Sequence, residues 1–162
     1  RIDTMTPSAS AVELVHATAL ALDGKAVLIR GPSGAGKSDL ALRCIAAGPV
    51  IGLPRVELLS DDQVWLTRNG RGIIAVPPPA IAGKIEVRGL GIVEVPYCSA
   101  ASVALAIDLV PPDLVPRFPL EKLTTELLGA AVPLLRLAPF EASAPLKVIL
   151  ALARSPEALT PP

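Results

Sequence analysis

A glycine-rich segment between a strand-like run and a helix-like run constrains the fold of this chain more than any other feature. The apolar run KAVLIR, residues 25–30, precedes Gly-x-x-x-x-Gly-Lys-Ser, and a helical pattern follows at residues 37–47. In a loop of this form, backbone N–H groups surround phosphate oxygens and the next helix directs its positive end towards them. We therefore predict a nucleotide-binding loop made of Gly31, Pro32, Ser33, Gly34, Ala35, Gly36, Lys37 and Ser38.

Two side chains of this loop have separate expected tasks. Lys37 is expected to reach the β- and γ-phosphates, and the Ser38 hydroxyl is expected to bind Mg²⁺. The alternative is a chance match in a glycine-rich loop, and the strand before and helix after the loop argue against it.

A β-hairpin is predicted directly before the loop. The apolar runs at residues 15–22 and 25–30 flank Asp23-Gly24, a strong two-residue turn signal. In that register Leu22 lies opposite Lys25, and His16, the only histidine, lies opposite Gly31. The register therefore predicts that His16 lies at the phosphates, whereas a lone histidine is more often structural.

Two adjacent carboxylates end the next apolar run. Asp61 and Asp62 follow VELLS, residues 56–60. One carboxylate at such a position can hold Mg²⁺ or its water, and the other can accept the proton of an incoming hydroxyl. The alternative is a polar strand end that begins a turn.

The run KIEVRGLGIVEV, residues 84–95, is unusual for a plain strand. Gly89 and Gly91 weaken a sheet interior and suggest close backbone approach by a ligand or partner. In a strand, alternation places Glu86 and Arg88 on one face, where the carboxylate could bind a metal ion and the guanidinium could bind phosphate. The alternative is an exposed ion pair beside a bulge.

The remaining patterns predict an α/β fold. Asn69-Gly70 predicts a second hairpin, residues 102–110 a strand, residues 119–128 an amphipathic helix closed by Gly129, and residues 132–137 a strand. A helix at residues 145–155 closes the chain. Because strands outnumber helices and two hairpins make much of the pairing antiparallel, we expect a mixed, largely antiparallel sheet rather than a doubly wound parallel one.

Composition limits the classes of partner. The 162 residues include 15 basic and 15 acidic side chains, which favours no nucleic-acid partner. The sequence contains neither a membrane-length apolar run nor a signal-peptide pattern, so we expect a cytoplasmic protein without a membrane partner. Cys44 and Cys98 are expected to be buried thiols in a reducing compartment.

The chain has the length of one domain, which we place at residues 11–155. We expect residues 1–10 to be disordered or derived from an expression vector, and residues 156–162 to form a flexible tail.

Three of these segments together resemble the catalytic domain of HPr kinase/phosphorylase. They are VHATALALDGKAVLIRGPSGAGKSDLALR, LLSDDQV and IEVRGLGIVEV, in this order and spacing. The resemblance covers residues 10–155 and implies a P-loop fold similar to phosphoenolpyruvate carboxykinase. It also implies an ATP- and Mg²⁺-dependent kinase that phosphorylates a serine of the phosphocarrier HPr or its nitrogen-branch relative, and that assembles as a hexamer.

Residue roles follow from the same resemblance. It implies catalytic roles for His16, Lys37, Asp62 and Arg117, of which Arg117 lies in the weakly matched VPRFPL. Asp62 corresponds to the proton acceptor of the forward reaction and donor of the reverse one, and Ser38 and Glu86 to the Mg²⁺ ligands, beside which we place Asp61. The family signature comprises Glu86, Val87, Arg88, Gly89, Leu90 and Gly91.

Two departures from the family pattern bear on the prediction. The long members carry an additional N-terminal domain that the resemblance does not include, and we expect a short form similar to those of alphaproteobacteria. An Arg-Pro-Gly-Arg-Asn-like loop linked to phosphorolysis is replaced by FEASAPLK, residues 140–147. This replacement leaves regulation and the reverse reaction open, and leaves the kinase prediction in place.

Two other functions compete with the protein-serine kinase. A small-molecule kinase on a phosphoenolpyruvate carboxykinase-like fold would need a lid domain, for which the chain is short. A nucleotide-sensing regulatory module would not need His16, Lys37, Asp62 and Glu86 together.

Overall fold

The computed structural model describes residues 11–70, 72–118 and 121–155, and the predictions for residues 1–10 and 156–162 lie outside this part of the chain. In order, strands β1 to β11 are Val12–His16, Thr18–Leu22, Lys25–Arg30, Glu57–Ser60, Gln63–Asn69, Gly72–Val76, Lys84–Val87, Gly91–Glu94, Ala101–Leu109, Leu123–Leu127 and Ala130–Leu137. Helices α1 and α2 are Lys37–Ala46 and Ala144–Arg154, and short 3-10 helices lie at Pro79–Ile81 and Pro112–Leu114.

Nine strands form one curled sheet, and β7 and β8 form a separate hairpin. The sheet order is β1-β5-β6-β9-β3-β2-β4, with β11 beside the second half of β9 and β10 outside β11. Among the strand pairs of the described residues, only β3–β9 and β9–β11 are parallel. The predicted mixed, largely antiparallel sheet is therefore confirmed.

The hairpin before the phosphate loop has the predicted register. Leu22 pairs with Lys25 and Thr18 with Ile29, and both turn residues, Asp23 and Gly24, have positive φ, as a tight two-residue turn requires.

The prediction of one continuous strand over residues 15–22 is wrong. The Ala17 amide donates to the Asp62 carbonyl oxygen, and the chain changes its pairing partner at this residue. β1 pairs with β5, so that His16 lies opposite Gln63 and not opposite Gly31.

The predicted helix at residues 119–128 is also wrong where the structure describes it. Leu123–Leu127 is strand β10, joined to β11 by a turn at Leu128 and Gly129, which both have positive φ. Leu123 and Leu127 fit a helix by their spacing, but they fit a strand equally well, with Thr125 between them on the more buried face. Two consecutive β-branched threonines favour the strand.

Two further predictions are off by a small step. An Asn69-Gly70 turn would place Arg68 opposite residue 71, but Arg68 pairs with Ile73, two residues further along, and Asn69 pairs with Gly72. Residues 84–94 are not one interrupted strand but two short strands that pair with each other, Glu86 opposite Ile92.

The core has two parts, one on each face of the sheet. Helices α1 and α2 cover one face, where Val27, Ile29 and Leu105 pack against Leu40 and Val148. The other face is lined by smaller side chains such as Ala19 and Ala106 and is covered by the curl of the sheet itself. Neither helix of the described residues is long and apolar enough to cross a membrane.

Candidate active site

The phosphate loop joins β3 to α1 as predicted. Gly34 and Gly36 have φ values of 82° and 97°, which side chains with a Cβ rarely adopt. The Lys37 side chain is buried, and its ammonium group donates to the carbonyl oxygens of Gly31 at 2.7 Å and Pro32 at 3.0 Å. These carbonyls hold the positive charge at the loop, where phosphate oxygens could replace them.

Asp61 is the centre of a small polar cluster beside the loop. Its Oδ1 accepts hydrogen bonds from the Ser38 hydroxyl at 2.6 Å and the Thr18 hydroxyl at 3.0 Å. Its Oδ2 accepts one from the backbone N–H of Glu86 at 3.0 Å. Asp61 is 6% exposed, and these three donors replace the water that its carboxylate loses on burial.

Asp62 points away from this cluster. It has a φ of 66°, and its side chain is 62% exposed. Its Oδ1 lies 3.3 Å from Nδ1 of His16, whose side chain is 55% exposed. The change of direction at Asp62 therefore gives the two neighbouring carboxylates different partners, one buried on the loop serine and one on the surface beside the histidine.

The structure places His16 beside Asp62, whereas the sequence predicted it opposite Gly31. This position follows from the pairing of β1 with β5, because Gln63 directly follows Asp62 and lies opposite His16. Thr18, two residues later, binds Asp61 and also accepts the Asp62 backbone N–H at 3.3 Å. Sequence reasoning missed Thr18, although a buried polar residue in an otherwise apolar strand was a signal for it.

The β7–β8 hairpin carries Glu86 to the site. Ile85 is fully buried in the core, and the Glu86 backbone is bonded to Asp61, while the Glu86 side chain is exposed. Arg88 lies in the turn after β7, so the prediction that strand alternation places it on one face with Glu86 is wrong. No ion pair joins these two side chains within the described residues. Gly89 and Gly91 have positive φ and shape this turn, with Leu90 donating its amide to Val87.

Arg117 is not brought to this cluster. It is exposed and follows the 3-10 helix at Pro112–Leu114, and within the described part of the chain it makes no hydrogen bond to the residues around Asp61. The structure places a different arginine next to the loop: Arg30, which precedes Gly31, forms two hydrogen bonds to the Asp108 carboxylate and one to Thr125.

Comparison with known proteins assigns the family. A family model described as the HPr serine kinase C-terminal domain matches residues 8–155. The chain belongs to this family.

Curated relatives and a solved structure agree with the HPr serine kinase assignment. The HPr kinase/phosphorylase of Bordetella pertussis is 33% identical over an alignment of 129 residues, which covers 73% of this chain and 40% of the relative. That of Mycoplasmopsis pulmonis is 37% identical over 81 residues, 50% of this chain and 24% of the relative. The chain thus spans less than half the length of these curated relatives.

The solved Hpr(Ser) kinase/phosphatase from Coxiella burnetii is similar with a TM-score of 0.72 and 31% identity, covering 88% of this chain and 94% of that one. The fold is therefore that of the HPr serine kinase C-terminal domain, as the sequence predicts.

Proposed function

We propose that this chain is the catalytic part of an ATP-dependent kinase that phosphorylates a serine of HPr. The division of Asp61 and Asp62 between the loop serine and the exposed histidine carries this proposal. A phosphoryl transfer to a hydroxyl needs one group that organises the phosphates and a second that takes the proton of the hydroxyl. The names of the relatives, HPr kinase/phosphorylase, support HPr as the acceptor.

The loop side of the site suits a nucleoside triphosphate. Backbone amides at the start of α1 and the Lys37 ammonium are positive groups that would face phosphate oxygens. The residues also fit Mg²⁺, because Mg²⁺ prefers oxygen ligands and is commonly held by one or two side chains together with substrate phosphates. Ser38 Oγ and Asp61 Oδ1 lie 2.6 Å apart. Glu86 is held next to them, because its backbone N–H donates to the Asp61 carboxylate, and its own side chain is exposed. When bound, Mg²⁺ would neutralise phosphate charge.

The exposed side of the site suits a protein hydroxyl. The serine Oγ would form a bond to the γ-phosphorus as the bond from that phosphorus to the bridging oxygen of ADP breaks, and Asp62 would take the serine proton. His16 contacts the same carboxylate and would hold it in position. Because both side chains are more than half exposed, an acceptor on another protein could reach them.

The proposal includes finer features that rest on the family. Arg117 would act in catalysis, and residues 86–91 would contact substrate. The protein would be a cytoplasmic hexamer, consistent with two free thiols. In phosphorolysis, an oxygen of inorganic phosphate would form a bond to the phosphorus of phosphoserine as the bond from that phosphorus to the serine Oγ breaks. Pyrophosphate would leave, and Asp62 would donate the proton to the serine oxygen.

The direct test is incubation with ATP, Mg²⁺ and purified HPr, followed by mass spectrometry of HPr. We expect HPr to gain the mass of one phosphoryl group on a serine. ADP formation without modified HPr would contradict the protein-kinase proposal, and nucleotide binding without turnover would favour the sensing module. Transfer to a small hydroxyl compound alone would favour the small-molecule kinase.

A further inference from the structure

A pocket of about 440 Å³ opens beside the phosphate loop, away from the Asp61 cluster. It is lined by Pro32 and Ala35 of the loop, by residues 109–112 at the end of β9 and by residues 138–141 after β11. Its volume is in the range typical of small-molecule sites, roughly 300–1,000 Å³. The roles described above do not use it.

The topology of the sheet places this pocket where ligands bind in open α/β sheets. β3, β9 and β11 are neighbouring parallel strands, and the pocket lies outside their carboxyl ends. Ligands preferentially occupy that edge of parallel strands. Since β3 leads directly into the phosphate loop, a molecule with its phosphates in the loop would extend its other end over β9 and β11.

The lining is apolar and includes one aromatic ring. Phe140 is 72% exposed, and two of its ring carbons lie 3.0 Å from the position that a Cβ on Gly36 would take, so the ring borders the loop. Two polar groups at the pocket have partners: the Pro139 carbonyl accepts from Arg43, and the Glu141 carboxylate is paired with Lys147. Phe140 is also the first residue of the 140–147 segment, in which the sequence departs from the family pattern.

We propose that this pocket takes the nucleobase of the nucleoside triphosphate, with the Phe140 ring stacked on the base. The proposal rests on the nucleotide part of the proposed function. Stacking between a base and an aromatic ring tolerates different bases, because every base has a π-face. Glu141, the charged side chain of the lining, is paired with Lys147, and the other lining side chains are apolar. We therefore infer that ATP and GTP bind with similar affinity, both more tightly than inorganic triphosphate.

The test compares affinities for ATP, GTP and inorganic triphosphate by calorimetry, each with Mg²⁺, on the whole chain and on three variants. Phe140→Ala should lower the affinities for ATP and GTP about 10-fold relative to the affinity for triphosphate, which is the effect expected for the loss of one stacked ring. Phe140→Tyr should retain the preference for ATP over triphosphate. Phe118→Ala, at the other phenylalanine of the chain, should change none of the affinities, because this side chain lines a different pocket.

Several results would overturn the proposal. If Phe140→Ala weakens the binding of ATP and of triphosphate equally, the ring stabilises the loop at Gly36 and does not stack on the base. If Phe140→Ala leaves the ratio of ATP to triphosphate affinity unchanged but alters the KM for HPr, the pocket would belong to the acceptor protein. If that ratio is unchanged but the oligomeric mass is altered, the pocket would bind a second copy of the chain. If neither ATP nor triphosphate binds, the proposed function fails as well, whereas failure of HPr phosphorylation alone would leave the pocket assignment standing.

Discussion

At the scale of single residues, the site depends on two neighbouring aspartates with opposite environments. Asp61 is buried and accepts three hydrogen bonds, while Asp62 turns outwards to His16 with a positive φ. A positive φ is uncommon for residues other than glycine, but Asp and Asn adopt it more readily than most. The backbone at Asp62 thus helps to give the two carboxylates different environments.

Replacing the loop lysine tests the phosphate side of this arrangement. Lys37→Ala removes the ammonium that bonds Gly31 and Pro32 at the loop. Single-turnover transfer to HPr should fall by at least about 10²-fold, as is usual when one charge-stabilising group is lost. Circular dichroism should show an intact fold, and turnover equal to that of the unchanged chain would contradict the role of the loop.

Replacing Glu86 tests the metal side. Glu86→Gln keeps the hydrogen bond from the backbone N–H of residue 86 to the Asp61 carboxylate, so the β7–β8 hairpin should stay in place. A neutral amide is a weaker Mg²⁺ ligand than a carboxylate, and we expect a higher Mg²⁺ requirement before any loss of nucleotide affinity. A Mg²⁺ titration of transfer rates measures this, and an unchanged titration curve would return Glu86 to the role of an exposed surface residue.

At the scale of elements, the sequence predicts local pairing well and long-range pairing poorly. The Asp23-Gly24 hairpin, the loop and both ends of α1 follow from turn and helix signals within a few residues. The break at Ala17 does not, because it depends on a hydrogen bond to Asp62, far along the chain. The sequence predicts a helix at β10 because leucines four residues apart fit a helix or a strand equally well. The pairing with β11, which local spacing does not contain, decides for the strand.

The same distinction applies to the candidate site. The residue types and their spacing predicted Lys37, Ser38, Asp61 and Asp62 near one another. They could not predict the backbone bond from Glu86 to Asp61, which requires a separate hairpin to pack beside α1.

At the scale of the whole molecule, the described residues form a curled sheet with two α-helices on one face, and the two cysteines are buried to different extents. Cys44 is fully buried in the core between sheet and helices, as predicted, and burial raises the pKa of its thiol to about 12 from 9.0. Cys98 is only half-buried, so the prediction of two buried thiols is confirmed for Cys44 alone.

These two thiols give a test of global stability. The raised pKa means that the folded state favours the protonated Cys44 thiol, so this contribution to stability is present below pH 9 and is lost as the pH rises towards 12. In native buffer, alkylation followed by mass spectrometry should modify Cys98 first, and Cys44 should react only at denaturant concentrations that unfold the core. Alkylation of Cys44 at the rate of Cys98 would contradict the packing of α1.

The separation of roles between Asp62 and Asp61 is the central claim, and single-turnover transfer to HPr at saturating ATP, titrated with Mg²⁺, tests it most directly. Asp62→Asn is nearly isosteric and tolerates the positive φ, but it cannot accept a proton. Its rate should fall by about 10²–10⁴-fold, the usual value of general-base help, and extra Mg²⁺ should not restore it. Asp61→Asn should lose Mg²⁺ affinity and be partly restored by extra Mg²⁺. Restoration of Asp62→Asn by Mg²⁺, with Asp61→Asn left inactive, would contradict the account and reverse the two roles.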